Sequence, residues 1–256
     1  MNENASSLQK APVVTIFGVP VAKWNMRQTV DYLCRVVEDG TVPHQVITAN
    51  PIMVMAALRD PQYMRMMKEA ELIVPDGAGV VWASGYVGNP VAERVPGIDL
   101  LHELMREGEA RGWRVYMVGA TDEVIQAAAD KLRQSYPGIA LAGVRNGYFG
   151  DQEDAAVIEE IRAARPHILL VGRSADKQEP WIGKYKAQLG VPVMMGVGGS
   201  FDVLAGKLKR APVLLQKLRL EWFYRLLQEP WRYKRMLELP KFALKVIREK
   251  ENVQKP

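Results

Sequence analysis

The feature that most constrains the fold of this 256-residue chain is the repeated alternation of short apolar runs with longer amphipathic stretches. The apolar runs are continuous, which is typical of parallel strands buried on both faces, and helical patterns separate them. The sequence therefore predicts an α/β fold, with a mainly parallel, Rossmann-like sheet and helices on both faces. The predicted strands are VVTIFGVPV (13–21), HQVITA (44–49), ELIVP (71–75), WRVYMVGA (113–120), the start of GIALAGVRNGYFG (138–150), PHILLVG (166–172) and the start of VPVMMGVGGS (191–200).

The pattern changes at about Lys207, after which no strand-like run occurs. The last 50 residues hold 14 Lys or Arg and 5 Glu, a net charge of +9. Because the whole chain carries +5, the first 206 residues carry −4. We therefore expect an α/β catalytic domain over 1–206 and a basic, amphipathic helical appendage over 207–256. Two or three helices are predicted there, with breaks at Pro212, Pro230 and Pro240.

The appendage interleaves aromatic residues with three arginines, Arg225, Arg232 and Arg235, which would share one face of an unbroken helix. A solvated charged face on packing helices would explain this pattern. The alternatives are a helix on an anionic membrane surface and a nucleic-acid patch. The concentration of positive charge beside an acidic body favours a binding role.

Composition excludes several classes of protein. An apolar fraction of 48% and a charged fraction of 25% are those of an ordinary soluble protein. There is no apolar run long enough to span a membrane, and the N-terminus lacks a signal-peptide pattern. The single cysteine, Cys34, excludes an internal disulfide and suits a reducing cytoplasm. Since His44, His102 and His167 have no partners at ligand spacing, we expect neither a metal site nor a cofactor.

Polar residues follow two of the predicted strands at the edge where ligands bind in parallel sheets. Asn50 before Pro51 is a well-understood helix start, and Asp76 in the sequence Pro-Asp-Gly suits a tight turn. A functional interpretation also fits, because Thr48 and Asn50 would flank a helix N-terminus that can hold a ligand. A partly desolvated Asp76 could accept a proton from a substrate hydroxyl.

A glycine-rich turn, GVGGSFD (196–202), follows the last predicted strand and opens a helix. Gly196, Gly198 and Gly199 would let the backbone approach a phosphate, and Asp202 could bind a ribose or base. The turn is not the G-x-G-x-x-G fingerprint, which disfavours a nucleotide-dependent oxidoreductase. A non-enzymatic membrane- or nucleic-acid-binding module remains the other alternative, although it leaves the polar strand ends unexplained.

Five ordered motifs resemble the WecG/TagA/CpsF family of bacterial glycosyltransferases over roughly residues 13–235. They are TANP (48–51), AELIVPDGAGVVWA (70–83), ERVPGIDL (93–100), KQEPWI (177–182) and GVGGSFDVLAG (196–206). One departure is VGRSADKQE (171–179), where the family commonly has VGLGAPKQE. Arg173 and Asp176 thus replace neutral residues beside the proposed phosphate site, which could change the choice of donor or impair activity.

The resemblance implies an inverting, metal-independent enzyme that transfers a sugar from a UDP-sugar to a lipid-linked acceptor. In the TagA branch, UDP-N-acetylmannosamine is the donor and undecaprenyl-diphospho-N-acetylglucosamine the acceptor, for the linkage unit of wall teichoic acid. N-acetylmannosaminuronic acid or a hexose is the alternative sugar. The resemblance makes Asp76 the base and places Thr48 and Asn50 in the pocket. It also assigns substrate binding to Arg94, Gln178, Gly196, Gly198, Gly199, Asp202, Arg225, Arg232 and Arg235.

The resemblance also implies where the protein works. The appendage would dock on the anionic inner face of the cell membrane and close over the site, so that a cytoplasmic enzyme becomes peripheral to the membrane. Amphipathic surfaces would permit a homo-oligomer, and no nucleic-acid partner is expected.

Overall fold

The computed structural model describes residues 8–255, except for the side chain of Ala175. Its eight strands are β1 (Val13–Ile16), β2 (Val19–Ala22), β3 (His44–Ala49), β4 (Leu72–Pro75), β5 (Arg114–Gly119), β6 (Ala140–Arg145), β7 (Ile168–Gly172) and β8 (Val193–Gly196). Strands β3 to β8 form one parallel sheet in the order β4-β3-β8-β7-β5-β6. The predicted α/β class and parallel sheet are confirmed.

Nine helices of the described chain belong to the α/β body. They are α1 (Met26–Asp39), α2 (Pro51–Ala57), α3 (Pro61–Glu69), α4 (Ala78–Tyr86), α5 (Gly97–Arg111), α6 (Asp122–Ser135), α7 (Asp154–Ala164), α8 (Ala175–Leu189) and α9 (Ser200–Leu204). Local signals fix several of their ends. Asn25 and Gln28 form a capping box before α1, and Gly40 ends that helix with a φ of 61°.

The side chains of each central strand point alternately to two sides of the sheet. Val115 and Met117 of β5 pack into a core with α1, α5 and α6, whereas Tyr116 and Val118 pack with α7 and α8. Covering both faces removes the need for polar residues on the strands, which explains their continuous apolar sequence.

The prediction of one strand over VVTIFGVPV is wrong. Residues Phe17 and Gly18 have φ values of 50° and 85°, and they form a two-residue turn between β1 and β2. Positive φ at both positions suits the right-handed twist of a tight hairpin. The resulting antiparallel pair is a separate two-stranded sheet, and it packs in an apolar cluster with α2, α3, α4 and one face of β3 and β4.

The C-terminal segment contains α10 (Val213–Lys217), α11 (Glu221–Gln228), α12 (Tyr233–Met236) and α13 (Glu238–Arg248), with single 3₁₀ turns at Pro230–Arg232 and Lys250–Asn252. Pro212 and Pro230 separate helices as predicted. The break expected at Pro240 is wrong, because Pro240 lies in the first turn of α13, where its missing N–H has no intrahelical partner to lose.

Helix α13 is anchored to the α/β body. Phe242, Val246 and Val253 are almost fully buried in the cluster beneath the β1–β2 hairpin. The Phe17 N–H also donates to the Val253 carbonyl at 2.7 Å. The end of the predicted appendage therefore shares a core with residues 13–91, while the division of the chain at Gly206 stays a prediction.

Candidate active site

A cavity of about 870 Å³ lies over the carboxyl ends of β4, β3, β8 and β7, with the C-terminal helices as its opposite wall. This is the edge at which parallel sheets bind ligands, and the volume suits a substrate of moderate size. Eleven of the twelve predicted site residues line it: Thr48, Asn50, Asp76, Arg94, Gln178, Gly196, Gly198, Gly199, Arg225, Arg232 and Arg235.

The turns after β3 and β4 touch each other. The two strands pair in parallel with Ala49 opposite Pro75, so Asn50 and Asp76 leave the sheet side by side. The Asp76 and Gly77 N–H groups both donate to the Ala49 carbonyl at 3.0 Å. A Cβ on Gly77 would lie 2.6 Å from Pro51 Cδ, so any larger residue would push the two turns apart.

Asn50 is a helix cap. Its Oδ1 accepts from the Ile52 and Met53 N–H groups at 3.0 and 3.2 Å, in front of Pro51 at the first helical position. Because capping uses the carbonyl oxygen, the side-chain NH₂ is the group that Asn50 can offer a ligand. Thr48 lies beside it, with its side chain packed against Gly97 at the start of α5.

Asp76 lines the cavity, with 28% of its side chain exposed. Loss of solvent raises the pKa of Asp76 to about 6; Arg94 opposes this shift and Glu221 adds to it. A carboxylate with such a pKa is ionised at neutral pH and is a stronger base than an exposed aspartate.

Arg94 lies between two carboxylates. Its Nε donates to the Asp76 carbonyl, and its Nη2 contacts Asp76 Oδ1 at 3.4 Å. On the other side, Nη1 and Nη2 donate to the two oxygens of Glu221 at 2.9 and 3.1 Å. Glu221 is the first residue of α11. Arg94 therefore links the C-terminal segment to the Asp76 carboxylate at the sheet edge.

A side chain of α8 forms a hydrogen bond with the backbone of the glycine turn that follows β8. The Gly198 N–H donates to Gln178 Oε1 at 3.0 Å, and Gln178 Nε2 donates to Glu179 Oε1 at 3.1 Å. Both side chains come from the first turns of α8, whose start follows β7. The Gln178 side chain therefore sets the conformation of the turn between Gly196 and Gly199.

The three predicted arginines of the C-terminal segment converge on this turn and the space beside it. A Cβ on Gly199 would come within 2.2 Å of Arg225 Nη2, so the guanidinium lies directly against the turn. Glu229 holds Arg225 at 2.7 Å and Arg232 at 3.0 Å. Burial and the neighbouring Arg225 lower the pKa of Arg232, with Arg235 adding to the effect. Such a concentration of positive charge suits an anion with more than one negative charge.

Comparison with known proteins identifies the family of the chain. A model of the Glycosyl transferase WecG/TagA/CpsF family matches residues 14–256. The chain belongs to this family. It is therefore a glycosyltransferase, and the resemblance drawn from the five sequence motifs is confirmed.

Three relatives similar to this WecG/TagA/CpsF-family enzyme carry the name N-acetylglucosaminyldiphosphoundecaprenol N-acetyl-beta-D-mannosaminyltransferase. The protein from Bacillus subtilis (strain 168) is 37% identical over 238 residues, which cover 93% of this chain and 92% of the relative. That from Staphylococcus aureus (strain MW2) is 40% identical over 210 residues, 82% of each chain. That from Bacillus spizizenii is 37% identical over 211 residues, 82% of this chain and 81% of the relative.

Asp202 stands apart from the other predicted site residues of this family member. It does not line the cavity, and its backbone carbonyl accepts from the Leu208 N–H at 3.0 Å. Its charge still acts on Arg232, whose pKa it raises slightly against the larger lowering effects. Asp202 therefore lies close enough to influence the arginine cluster without facing the cavity.

Sequence reasoning about this glycosyltransferase missed Glu221. Its only signal was an acidic residue within a strongly basic segment, which also suits the first turn of a helix. Arg173, singled out as a departure from the family pattern, does line the cavity. Its guanidinium lies 4.2 Å from the centre of the Phe149 ring and donates to the Phe149 carbonyl at 3.0 Å.

Within residues 8–255, no three His, Cys, Asp or Glu side chains are grouped so that they could hold a metal ion. Among the helices of the same residues, none is both long enough and apolar enough to cross a membrane.

Proposed function

We propose that this glycosyltransferase moves N-acetylmannosamine from UDP-N-acetylmannosamine to N-acetylglucosaminyl-diphosphoundecaprenol, with inversion at the anomeric carbon and without a metal ion. The names of the relatives support this choice of sugar and acceptor. The observation that carries the mechanism is the position of Asp76, a carboxylate with a raised pKa that shares one cavity with a glycine turn and three arginines.

The proposed reaction is a single displacement. Asp76 accepts the proton of the acceptor hydroxyl while that oxygen forms a bond to the anomeric carbon of the donor. The bond between the anomeric carbon and the diphosphate breaks, and UDP leaves with the electron pair. Attack from the face opposite the leaving group inverts the configuration at that carbon.

The departing diphosphate gains negative charge, and arginines of the C-terminal segment would bind it. Arg225 already lies against the turn formed by Gly196, Gly198 and Gly199, and Arg232 lines the same cavity. Positive groups fixed in place before the reaction stabilise a leaving anion without reorganisation, which is the role that a divalent cation fills elsewhere. Thr48, Asn50 and Gln178 would orient the sugars.

Membrane docking is the second part of the proposal. Nine large apolar residues between 213 and 237 are well exposed, and we call them the apolar tail surface: Val213, Leu214, Leu218, Trp222, Phe223, Leu227, Trp231, Tyr233 and Leu237. Apolar and aromatic side chains on a basic segment suit the interface of an anionic membrane, where the lipid acceptor resides. Residues 207–256 would thus act as a docking appendage of the catalytic domain over 1–206, on the cytoplasmic face.

One observation favours an alternative donor in the same reaction class. Arg173 places a positive side chain in the cavity where a neutral residue is common in the family. A carboxylate on the donor sugar, as in N-acetylmannosaminuronic acid, would suit that charge. A hexose donor has no such supporting contact.

The formation of a homo-oligomer stays a prediction.

The test is a UDP-release assay with several UDP-sugars and a short-chain lipid-diphospho-N-acetylglucosamine acceptor. UDP-N-acetylmannosamine should give the highest kcat/KM, with the uronic acid as the competing result. Activity should survive EDTA. Loss of activity in EDTA with recovery on adding Mg²⁺ or Mn²⁺ would contradict the metal-independent mechanism, and a product with retained configuration would contradict the single displacement.

A further inference from the structure

Glu179 is a buried carboxylate that the proposed reaction does not use. It lies in α8 beneath the glycine turn, with only 1% of its surface exposed. Its oxygens accept hydrogen bonds from two side-chain amides: Gln178 Nε2 at 3.1 Å and Gln45 Nε2 at 3.1 Å. Within residues 8–255, no lysine, arginine or histidine forms a salt bridge with it.

The carboxylate touches the turn above it. A Cβ on Gly196 would lie 2.0 Å from Glu179 Oε1 and 2.6 Å from Gln178 Nε2. Position 196 therefore has no room for a side chain larger than that of glycine, because the Glu179 and Gln178 side chains lie so close. Through Gln178, whose Oε1 accepts from the Gly198 N–H at 3.0 Å, Glu179 also fixes the backbone of the turn.

Few other titratable groups face Glu179. Tyr63 of α3 is one of them: burial raises the pKa of Tyr63, Glu179 and Asp176 add to the rise, and Arg235 opposes it. The remaining faces consist of Gln45 from β3, Gln178 from its own helix and Gly196 from β8. The environment therefore provides amides but no neutralising cation.

A buried carboxylate without a cation is costly in its charged form. Burial raises the pKa of Glu179 to about 7, against the lowering effect of the Gln45 and Gln178 amides. A diphosphate on the glycine turn would place further negative charge nearby, in surroundings where charges interact more strongly than in water. Both effects favour the neutral acid.

Gln45 Nε2 also donates to the backbone carbonyl of Glu179, at 3.0 Å. Gln45 is fully buried, and its Oε1 has no hydrogen-bond partner. The amide therefore holds both the side chain and the backbone of Glu179, and it leaves one buried acceptor of the network unpaired.

We propose that Glu179 is a positioning residue of the glycine turn, and that it carries a proton whenever the turn holds a nucleotide diphosphate. This inference rests on the proposed function, because it takes the turn to be the diphosphate site. By linkage, a ligand that favours the protonated form binds with uptake of a proton, and its affinity falls as pH rises through the pKa of the free group.

The experiment measures UDP binding by isothermal titration calorimetry on the full-length wild type and on Glu179→Gln, from about pH 6 to about pH 9. Glu179→Gln keeps the shape of the protonated acid and cannot ionise. Above about pH 7, the wild-type Kd should rise by up to about tenfold per pH unit relative to that of Glu179→Gln. Any protonation of UDP itself is common to both proteins and cancels in the ratio.

The same titrations in two buffers of different ionisation enthalpy should reveal net proton uptake by the wild type, which a residue with only a packing role would not cause. Equal pH dependence in the two proteins would overturn the proposal. So would a Glu179→Gln variant that binds UDP at least about tenfold more weakly throughout, since the ionised form would then be the one that binds.

A measurement without nucleotide separates this inference from the proposed function. Because folding raises the pKa of Glu179 from 4.5 to about 7, the folded state holds this proton more tightly. The wild type should therefore lose thermal stability relative to Glu179→Gln as pH rises across that interval. If the stability difference appears but neither protein binds UDP, the proposed function is wrong and the neutral Glu179 stands. Parallel Tm curves would reject the neutral Glu179.

Discussion

The sheet edge and the C-terminal segment contribute to the same cavity by different means. Thr48, Asn50 and Asp76 leave buried strands, and backbone hydrogen bonds and the close contact at Gly77 hold them. The groups of α11 and α12 reach the cavity on helices with no buried residues, held by ion pairs such as Arg94–Glu221. The Asp76 carboxylate is therefore fixed by the fold, whereas the charges around it depend on surface helices held by ion pairs.

The C-terminal segment is itself divided. Residues 213–237 expose the apolar tail surface, whereas α13 and Val253 are inserted in the core beneath the hairpin. Glu238, at the start of α13, pairs with Arg59 at 2.5 Å. The C-terminal end of residues 213–237 is therefore joined to the body through α13.

The largest expected effect belongs to the sheet edge. Asp76→Asn should lower kcat by at least about a hundredfold, because a positioned base contributes about 10²–10⁴-fold, and should leave UDP binding near normal. Wild-type kcat/KM should fall as pH drops below about 6, where Asp76 takes up a proton. Steady-state kinetics with the lipid acceptor measure both, and Asp130→Asn on the exposed face of α6 is the control. Turnover near that of the wild type would remove Asp76 from the role of base.

The next effect tests the buried end of the segment. Phe242→Ala should lower the free energy of unfolding by about 3–5 kcal/mol, since it leaves a cavity in a fully packed cluster. Trp231→Ala, at a side chain that is 71% exposed, should change it by less than about 0.5 kcal/mol. Chemical denaturation gives both values. Equal effects would mean that α13 is as loosely attached as the helices before it.

A smaller effect should come from the ion pair that joins the two regions. Glu221→Gln weakens the hold on Arg94, which can then pair more fully with Asp76. Since Arg94 lowers and Glu221 raises the pKa of Asp76, the acidic limb of the kcat/KM profile should move to lower pH. The loss in kcat/KM should be about fivefold to thirtyfold, equivalent to about 1–2 kcal/mol. Glu251→Gln, at an exposed site, is the control; a faster variant would show that Glu221 instead holds the site inactive.

The smallest effect concerns the apolar tail surface. Trp231→Ala should weaken binding to vesicles with anionic lipid several-fold, because one exposed indole is lost from a larger surface. Tyr148→Ala removes an aromatic side chain that is 76% exposed on the body, and should change nothing. Vesicle sedimentation at low and high salt measures both, and wild-type binding should weaken as salt rises. Identical losses for the two variants would argue against a docking role for this surface.

Much of the body was predictable from local sequence. Continuous apolar runs mark strands covered on both faces, and Asn50–Pro51 and Thr121 mark helix starts that the structure confirms. The hairpin was missed because Phe17 adopts a positive φ that is uncommon for an aromatic residue, so the sequence resembles a single strand.

The site was predictable in part. The ends of β3 and β4 adjoin because parallel neighbours end at the same edge, which places Asn50 beside Asp76 from pattern alone. The pairing of Arg94 with Glu221 was not predictable, since 127 positions separate the two residues and no sequence motif contains both. The Glu179 network likewise joins side chains 134 positions apart.

By itself, the sequence determined the α/β class, the parallel sheet, the family and the edge of the sheet where the site lies, because those follow from periodicity, capping and short motifs. Only the tertiary structure decided that Phe242 belongs to the core, that Glu221 reaches Arg94, and that a carboxylate lies buried under Gly196. The physical reason is that desolvation and ion pairing depend on which distant segments come into contact. Local sequence patterns do not specify those contacts.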